Sequence, residues 1–184
     1  MPAGQIVHLV PLDVANAETV RRWILDPEVH RWMLSGHEDI SPAEEIYFFE
    51  ESLKAAAGGT AYRFEIHTND DGRLLGICGL EHVDTKHRHA EAGIFLAPPS
   101  EWRQGFGADA LQALIAHGFE ELGLHRISIG VFPENRRALE LYERLGFTEV
   151  GRDRQSFLLH GSFHDLVRLD MLEDEWRAAA DRQG

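Results

Sequence analysis

Between residues 61 and 97 the chain carries three runs of strand composition, AYRFEIHT (61–68), RLLGICGLEHV (73–83) and RHAEAGIFLA (88–97), separated only by NDDG and DTKH. Connections that short join antiparallel neighbours and leave no room for a crossover, so these runs are expected to form a meander. The next connection is of another kind. Leu111, Leu114, Ile115, Phe119 and Leu122 recur at helical spacing with Gly123 as a stop, and HRISIGVF (125–132) then alternates Ile127, Ile129 and Val131 as a buried strand. Strand, helix and strand in that order predict a right-handed crossover. A chain with both kinds of connection builds a mixed sheet.

The remaining stretches supply its edges and covers. QIVHLVPL (5–12) reads as a first strand, and Asp13 as the N-cap of a helix holding Val20, Trp23 and Ile24. Asp26-Pro27 breaks that helix, and a short second one is expected from Glu28 to Leu34. Ser41, Pro42 and Glu44 combine an N-cap, a proline at the first helical position and a capping-box partner, which predicts a helix from Pro42 to about Ala57, ended by Gly58-Gly59. PENRRALELYERLG predicts a further helix, capped by Glu134 or Asn135 and ended by Gly146. The last stretch, FTEVGRDRQSFLLHGSFHDLVRLDML, predicts two or three strands turning at His160-Gly161. The expected fold class is α/β of the α+β mixed-sheet type, a mostly antiparallel sheet with helices on both faces.

At 184 residues and 43% hydrophobic content, one domain spanning 1–184 is expected. No run of 18 apolar residues and no basic-then-apolar leader is visible, so the expected location is the cytoplasm. A lone cysteine, Cys78, fits a reducing compartment, and its apolar neighbours in LLGICGL mark a core residue rather than a nucleophile. A formal charge of -13 argues against nucleic acid and anionic membranes as partners; it suits a cationic one, although acidity also serves solubility.

The stretch EWRQGFGADALQAL (101–114) opens its helix with two glycines. GFGADA matches the G-x-G-x-x-G/A dinucleotide fingerprint, but PPSEWRQ separates it from the preceding strand, and the 77 residues after it cannot supply a doubly wound sheet. A P-loop fails too, because no Gly-Lys-Ser/Thr follows. What remains is shared by all such loops: bare backbone N–H groups and the positive end of a helix dipole make a seat for phosphate oxygens. Arg103 adds a cation. Read alone, the loop serves equally as a helix entry that needs glycine dihedrals.

The chain resembles the GNAT superfamily of N-acetyltransferases. The family's acetyl-CoA motif is Gln/Arg-x-x-Gly-x-Gly/Ala, and WRQGFG (102–107) is similar to it with tryptophan in the first place; NRRALELYERLGF (135–147) is similar to its downstream helix carrying Asn and Tyr. The ending is similar to the branch of ribosomal-protein N-terminal and spermidine acetyltransferases. The resemblance implies acetyl-CoA as cosubstrate without a metal, a small-molecule or peptide amine as acceptor, and a homodimer as a possible assembly.

It further implies that Arg103, Gln104, Gly105, Phe106, Gly107 and Ala108 seat the pyrophosphate, that the backbone of Ile94, Phe95 and Leu96 pairs with pantetheine like an added strand, and that Asn135 binds the cofactor near its amide; Arg136 and Arg137 either reach the cofactor's phosphates, for which Arg137 is the candidate, or are exposed helix charges. Tyr142 becomes the acid that protonates the departing thiolate, its phenol pKa of about 10 lying near that of a thiol, about 8.5. Glu91 shares a strand face with Gly93 and Phe95 and could take the amine proton, or be structural. Trp23, Glu28, Trp32 and Phe157, with Glu38 and His160, are the expected acceptor wall, aromatic faces beside carboxylates suiting an alkylammonium. His82, Asp84, His87 and His89 share a turn without a defined metal-site spacing and read as solvated.

Overall fold

The computed structural model describes residues 2–34, 39–159 and 161–181. Seven strands form one sheet: β1 (Val7–Pro11), β2 (Tyr62–Thr68), β3 (Leu74–Asp84), β4 (His89–Leu96), β5 (Arg126–Val131), β6 (Thr148–Leu159) and β7 (Ser162–Leu172), in spatial order β1-β2-β3-β4-β5-β7-β6. Every neighbouring pair is antiparallel except β4 and β5. The expected meander is therefore β2-β3-β4, and the expected crossover is α4 (Phe106–Ala116) with a π-helical turn (His117–Glu121) between β4 and β5.

Two apolar clusters divide along the faces of the sheet. On one face α4 and α5 (Arg136–Leu145) pack Leu111, Leu114, Leu139 and Tyr142 against Leu80, Ala90, Ala92, Ile127, Ile129 and Leu169 in one continuous core. On the other, α1 (Ala17–Ile24) and α3 (Pro42–Ala57) pack Val20, Ile24 and Phe49 on Leu12 and Ile77. α3 starts as its capping box predicts, with Ser41 accepting from the Glu44 N–H and Glu44 returning a bond to the Ser41 N–H. Among the described residues no helix is long and apolar enough to cross a membrane.

Three readings need correction. Asp13 caps a turn of 3-10 helix (Val14–Asn16), and α1 begins only at Ala17, because Glu65 on β2 holds the Asp13 N–H and the Asn16 amide down on the sheet. α2 spans Pro27–His30 and stops short of Leu34: the N–H groups of Trp32 and Met33 bond three residues back, to Val29 and His30, which tightens the chain into turns. The chain also ends in a helix that strand patterning missed, α6 (Glu173–Asp181), whose Trp176 packs on Phe119 at 5.4 Å between ring centroids.

Candidate active site

The parallel pair β4 and β5 opens into a fork. Their pairing ends at Ala92 and Ile129, while β4 continues to Leu96 and β5 to Val131. The direction of the free backbone groups follows from the ladder on the other side. Ala97 donates to Leu75 of β3 at 2.8 Å, so by alternation Phe95 and Gly93 also turn their N–H and C=O to β3, and Ile94 and Leu96 turn theirs into the fork. Of the three residues expected to pair with pantetheine, only Ile94 and Leu96 have backbone groups that face the opening. The Leu96 carbonyl already accepts from Trp102 Nε1 at 2.7 Å.

At the mouth of the fork stands the start of α4. Gly105 is its N-cap with φ 93°, a left-handed conformation that glycine takes without strain. The first helical bond runs from the Asp109 N–H to the Gly105 carbonyl, which leaves the N–H groups of Phe106, Gly107 and Ala108 without helical acceptors. A Cβ at Gly107 would lie 3.2 Å from Leu96 Cδ1, so a side chain there would press on the fork. Arg103 also has positive φ, 67°, and Gln104 donates back to Ser100 and Glu101. Arg103 and Arg137 are within electrostatic reach of one another.

α5 covers the fork from the apolar face. Asn135 Oδ1 caps the helix by accepting from the Ala138 N–H at 3.2 Å, which settles the choice between Glu134 and Asn135 and leaves the Asn135 amide nitrogen to donate elsewhere. Two turns later Tyr142 lies buried, its ring 6.1 Å from that of Phe147. Burial pushes its phenol up to about 12, and the nearby Arg137 guanidinium pulls the other way.

The opposite face offers a different surface. Glu91, Gly93 and Phe95 point there; a Cβ at Gly93 would meet nothing within 4 Å, so the face is open between the carboxylate and the phenyl ring. Glu91 is not a lone carboxylate. Arg168 Nη1 donates to its Oε1 at 2.8 Å and Arg168 Nε to Asp153 at 2.6 Å, while His82 Nδ1 lies 3.9 Å from the second Glu91 oxygen. His82 has φ 51° where the β3–β4 register slips between Glu81 and Asp84. No sequence period announces this chain of charges, because Glu91 and Arg168 are 77 residues apart. Cys78 is buried on the apolar face, which pushes its thiol up.

The expected acceptor wall falls into separate groups. Trp23 packs with Phe95 around the smaller core, Phe157 meets Phe132 edge-on at 5.7 Å, and Glu28 is exposed on α2. The face of Trp32 already carries a cation, the Arg31 guanidinium at 4.7 Å. Glu38 and His160 lie outside the described residues.

The fold brings the two sequence motifs together at the fork, with Arg137 stacked on Trp102 and Leu141 beside Gly107, and comparison with known proteins decides the family. The acetyltransferase (GNAT) domain profile matches residues 7–148. The chain belongs to the GNAT acetyltransferase family. It is 37% identical over 169 residues to the "Putative ribosomal N-acetyltransferase YdaF" of Bacillus subtilis, covering 92% of this chain and 86% of that protein. It is 30% identical over 140 residues to the spermidine N(1)-acetyltransferase of Vibrio cholerae, covering 71% and 80%. Among solved structures, the spermidine N-acetyltransferase of Vibrio cholerae in complex with CoA and spermine has the same fold, with a TM-score of 0.83 at 24% identity over 93% of this chain and 98% of that one. This GNAT protein is an N-acetyltransferase.

Proposed function

We propose that the enzyme transfers acetyl from acetyl-CoA to a primary amine by direct attack, with a small cationic amine, a polyamine or an aminoglycoside-like compound, as acceptor. The observation that carries the donor half is the fork: the Ile94 backbone and the Leu96 N–H face the opening beside the bare N–H donors of Phe106, Gly107 and Ala108. Pantetheine would lie along the first set and the pyrophosphate at the second, with Arg103, Gln104, Asn135 and Arg137 as side-chain contacts.

Tyr142 is the acid. Its raised pKa keeps the phenol protonated throughout the neutral range, and the burial that raises it raises a thiolate held beside it as well, so the two stay matched. The amine reaches the thioester from the open face above Gly93. There Glu91, one oxygen of which Arg168 leaves free, takes the proton that the amine sheds on attack. Trp23, Glu28, Trp32 and Phe157 are proposed to contact the acceptor, and the enzyme to work in the cytoplasm.

A second reading has its own support, since the 37% identical relative is named as a ribosomal N-acetyltransferase. Assaying CoA release with polyamines, aminoglycosides, amino acids and ribosomal-protein N-terminal peptides side by side separates the two. Turnover on polyamines is expected; turnover on the peptides with polyamines inert would replace the acceptor and keep the transfer. Tight acetyl-CoA binding with no turnover on any amine would instead make the chain a noncatalytic acyl-CoA sensor.

A further inference from the structure

Guanidinium groups on this sheet are mostly paired. Arg63 bonds Glu81, Arg73 meets Asp71 and Glu101, Arg126 bonds Asp170, and Arg168 bonds Glu91 and Asp153. Arg137 is an exception in a protein of formal charge -13. It stands exposed on the first turn of α5, it has no carboxylate within ion-pair distance among the described residues, and its Cζ lies 3.8 Å from the centroid of the Trp102 ring. Desolvation of part of the side chain and the like charge of Arg103 both lower its pKa. Its seat is rigid, because the indole Nε1 is bonded to the Leu96 carbonyl in the fork.

We propose that Trp102 is a positioning residue for the cosubstrate: its ring holds Arg137 at the mouth of the fork, where the guanidinium receives the phosphates of the acyl-CoA. The inference rests on the acetyl-CoA reading above. Tryptophan occupies the motif position where Gln or Arg would supply a side-chain donor, and here the donor comes from another helix, laid across the tryptophan. A planar guanidinium suits both jobs, stacking on an indole through its face and bonding phosphate oxygens through its edge.

Acetyl-CoA binding by calorimetry, paired with turnover on S-acetylpantetheine, which has the thioester arm but no phosphates, tests the idea. Trp102→Leu and Arg137→Gln are each expected to weaken acetyl-CoA binding about tenfold, the size of one charge-assisted contact. The double variant should be no weaker than the worse single one, since Arg137 acts through the ring. Trp102→Phe, which keeps a ring, should stay within about threefold. The loss should fall on KM for acetyl-CoA more than on kcat, and S-acetylpantetheine turnover should change little. Losses that multiply in the double variant, or that appear equally with S-acetylpantetheine, would overturn the positioning role while leaving the donor intact. Wild-type protein that binds no acetyl-CoA would overturn the donor reading and this inference together.

Discussion

The two faces of the sheet are built from different materials. The face under α4 and α5 is one unbroken apolar core, and Tyr142 is its polar intrusion from α5. The face under α1 and α3 has apolar packing only at one end; from Glu81 across Glu91 to Arg168 and Asp153 it is a row of charges, open above Gly93. Dispersion and burial fix positions without hydrating water and tolerate little displacement, whereas exposed ion pairs are individually weak and readily re-formed with another partner. The contrast suits the proposed transfer from one invariant donor to a cationic acceptor. On the proposed reading the donor meets the rigid face, and the acceptor meets a surface whose carboxylates can exchange one cation for another.

Three substitutions probe that contrast, beginning on the rigid face. Tyr142→Phe deletes one hydroxyl without altering the packing around it, so turnover should fall by roughly ten- to a thousandfold with little change in KM for acetyl-CoA. Full activity in that variant would remove the acid role and leave Tyr142 as core packing. On the charged face, Glu91→Gln should lower kcat about tenfold at acidic pH, where an amine with a pKa near 10 is almost wholly protonated and most needs a base. The deficit should shrink as pH rises. A pH profile parallel to wild type would make Glu91 purely an anchor for Arg168.

The smallest effect on turnover, and a separate one on stability, is expected under α3. Glu45 is 3% exposed, and its Oε1 has no hydrogen-bond partner among the described residues. Burial pushes its carboxyl up to about 7, against the pull of Arg21. Between the ordinary carboxylate range and that value the folded state keeps a proton that the unfolded chain has released, so stability falls as pH rises through this window. Relative to wild type, Glu45→Gln should therefore gain about 3 kcal/mol on going from pH 4 to pH 8, as measured by denaturant unfolding at the two pH values. A difference that does not change with pH would mean that Glu45 stays in one protonation state in the fold.

What the sequence made legible was periodic or local. The meander, the capping box at Ser41 and the glycine stop at Gly146 depend on residues within a few positions of one another, and each stands where the pattern predicts. α6 was hidden because GRDRQSFLLHGSFHDLVRLDML reads as strand up to Leu172, and the chain turns helical at the very next residue without an N-cap signal. Within the candidate site, the glycines, Asn135 and Tyr142 could be read from motifs. The Arg168 bond to Glu91, the stack of Arg137 on Trp102 and the turning of the Phe95 backbone to β3 could not, since each depends on the register between elements remote in sequence.

Asp109, one turn into α4, is buried, and its carboxylate accepts the N–H groups of Gln5, Ile6 and Val7 at 2.8 to 2.9 Å. The approach is so close that a Cβ at Gly4 would fall 2.2 Å from Asp109 Oδ2. The opening residues of the chain are thus latched to the helix whose first turn is the proposed seat of the cosubstrate phosphates. Those three amides can trade their hydrogens with water only when the latch lets go. Their exchange rate is then a clock for how often the proposed coenzyme seat comes apart, read from the segment that enters the strand at the edge of the sheet.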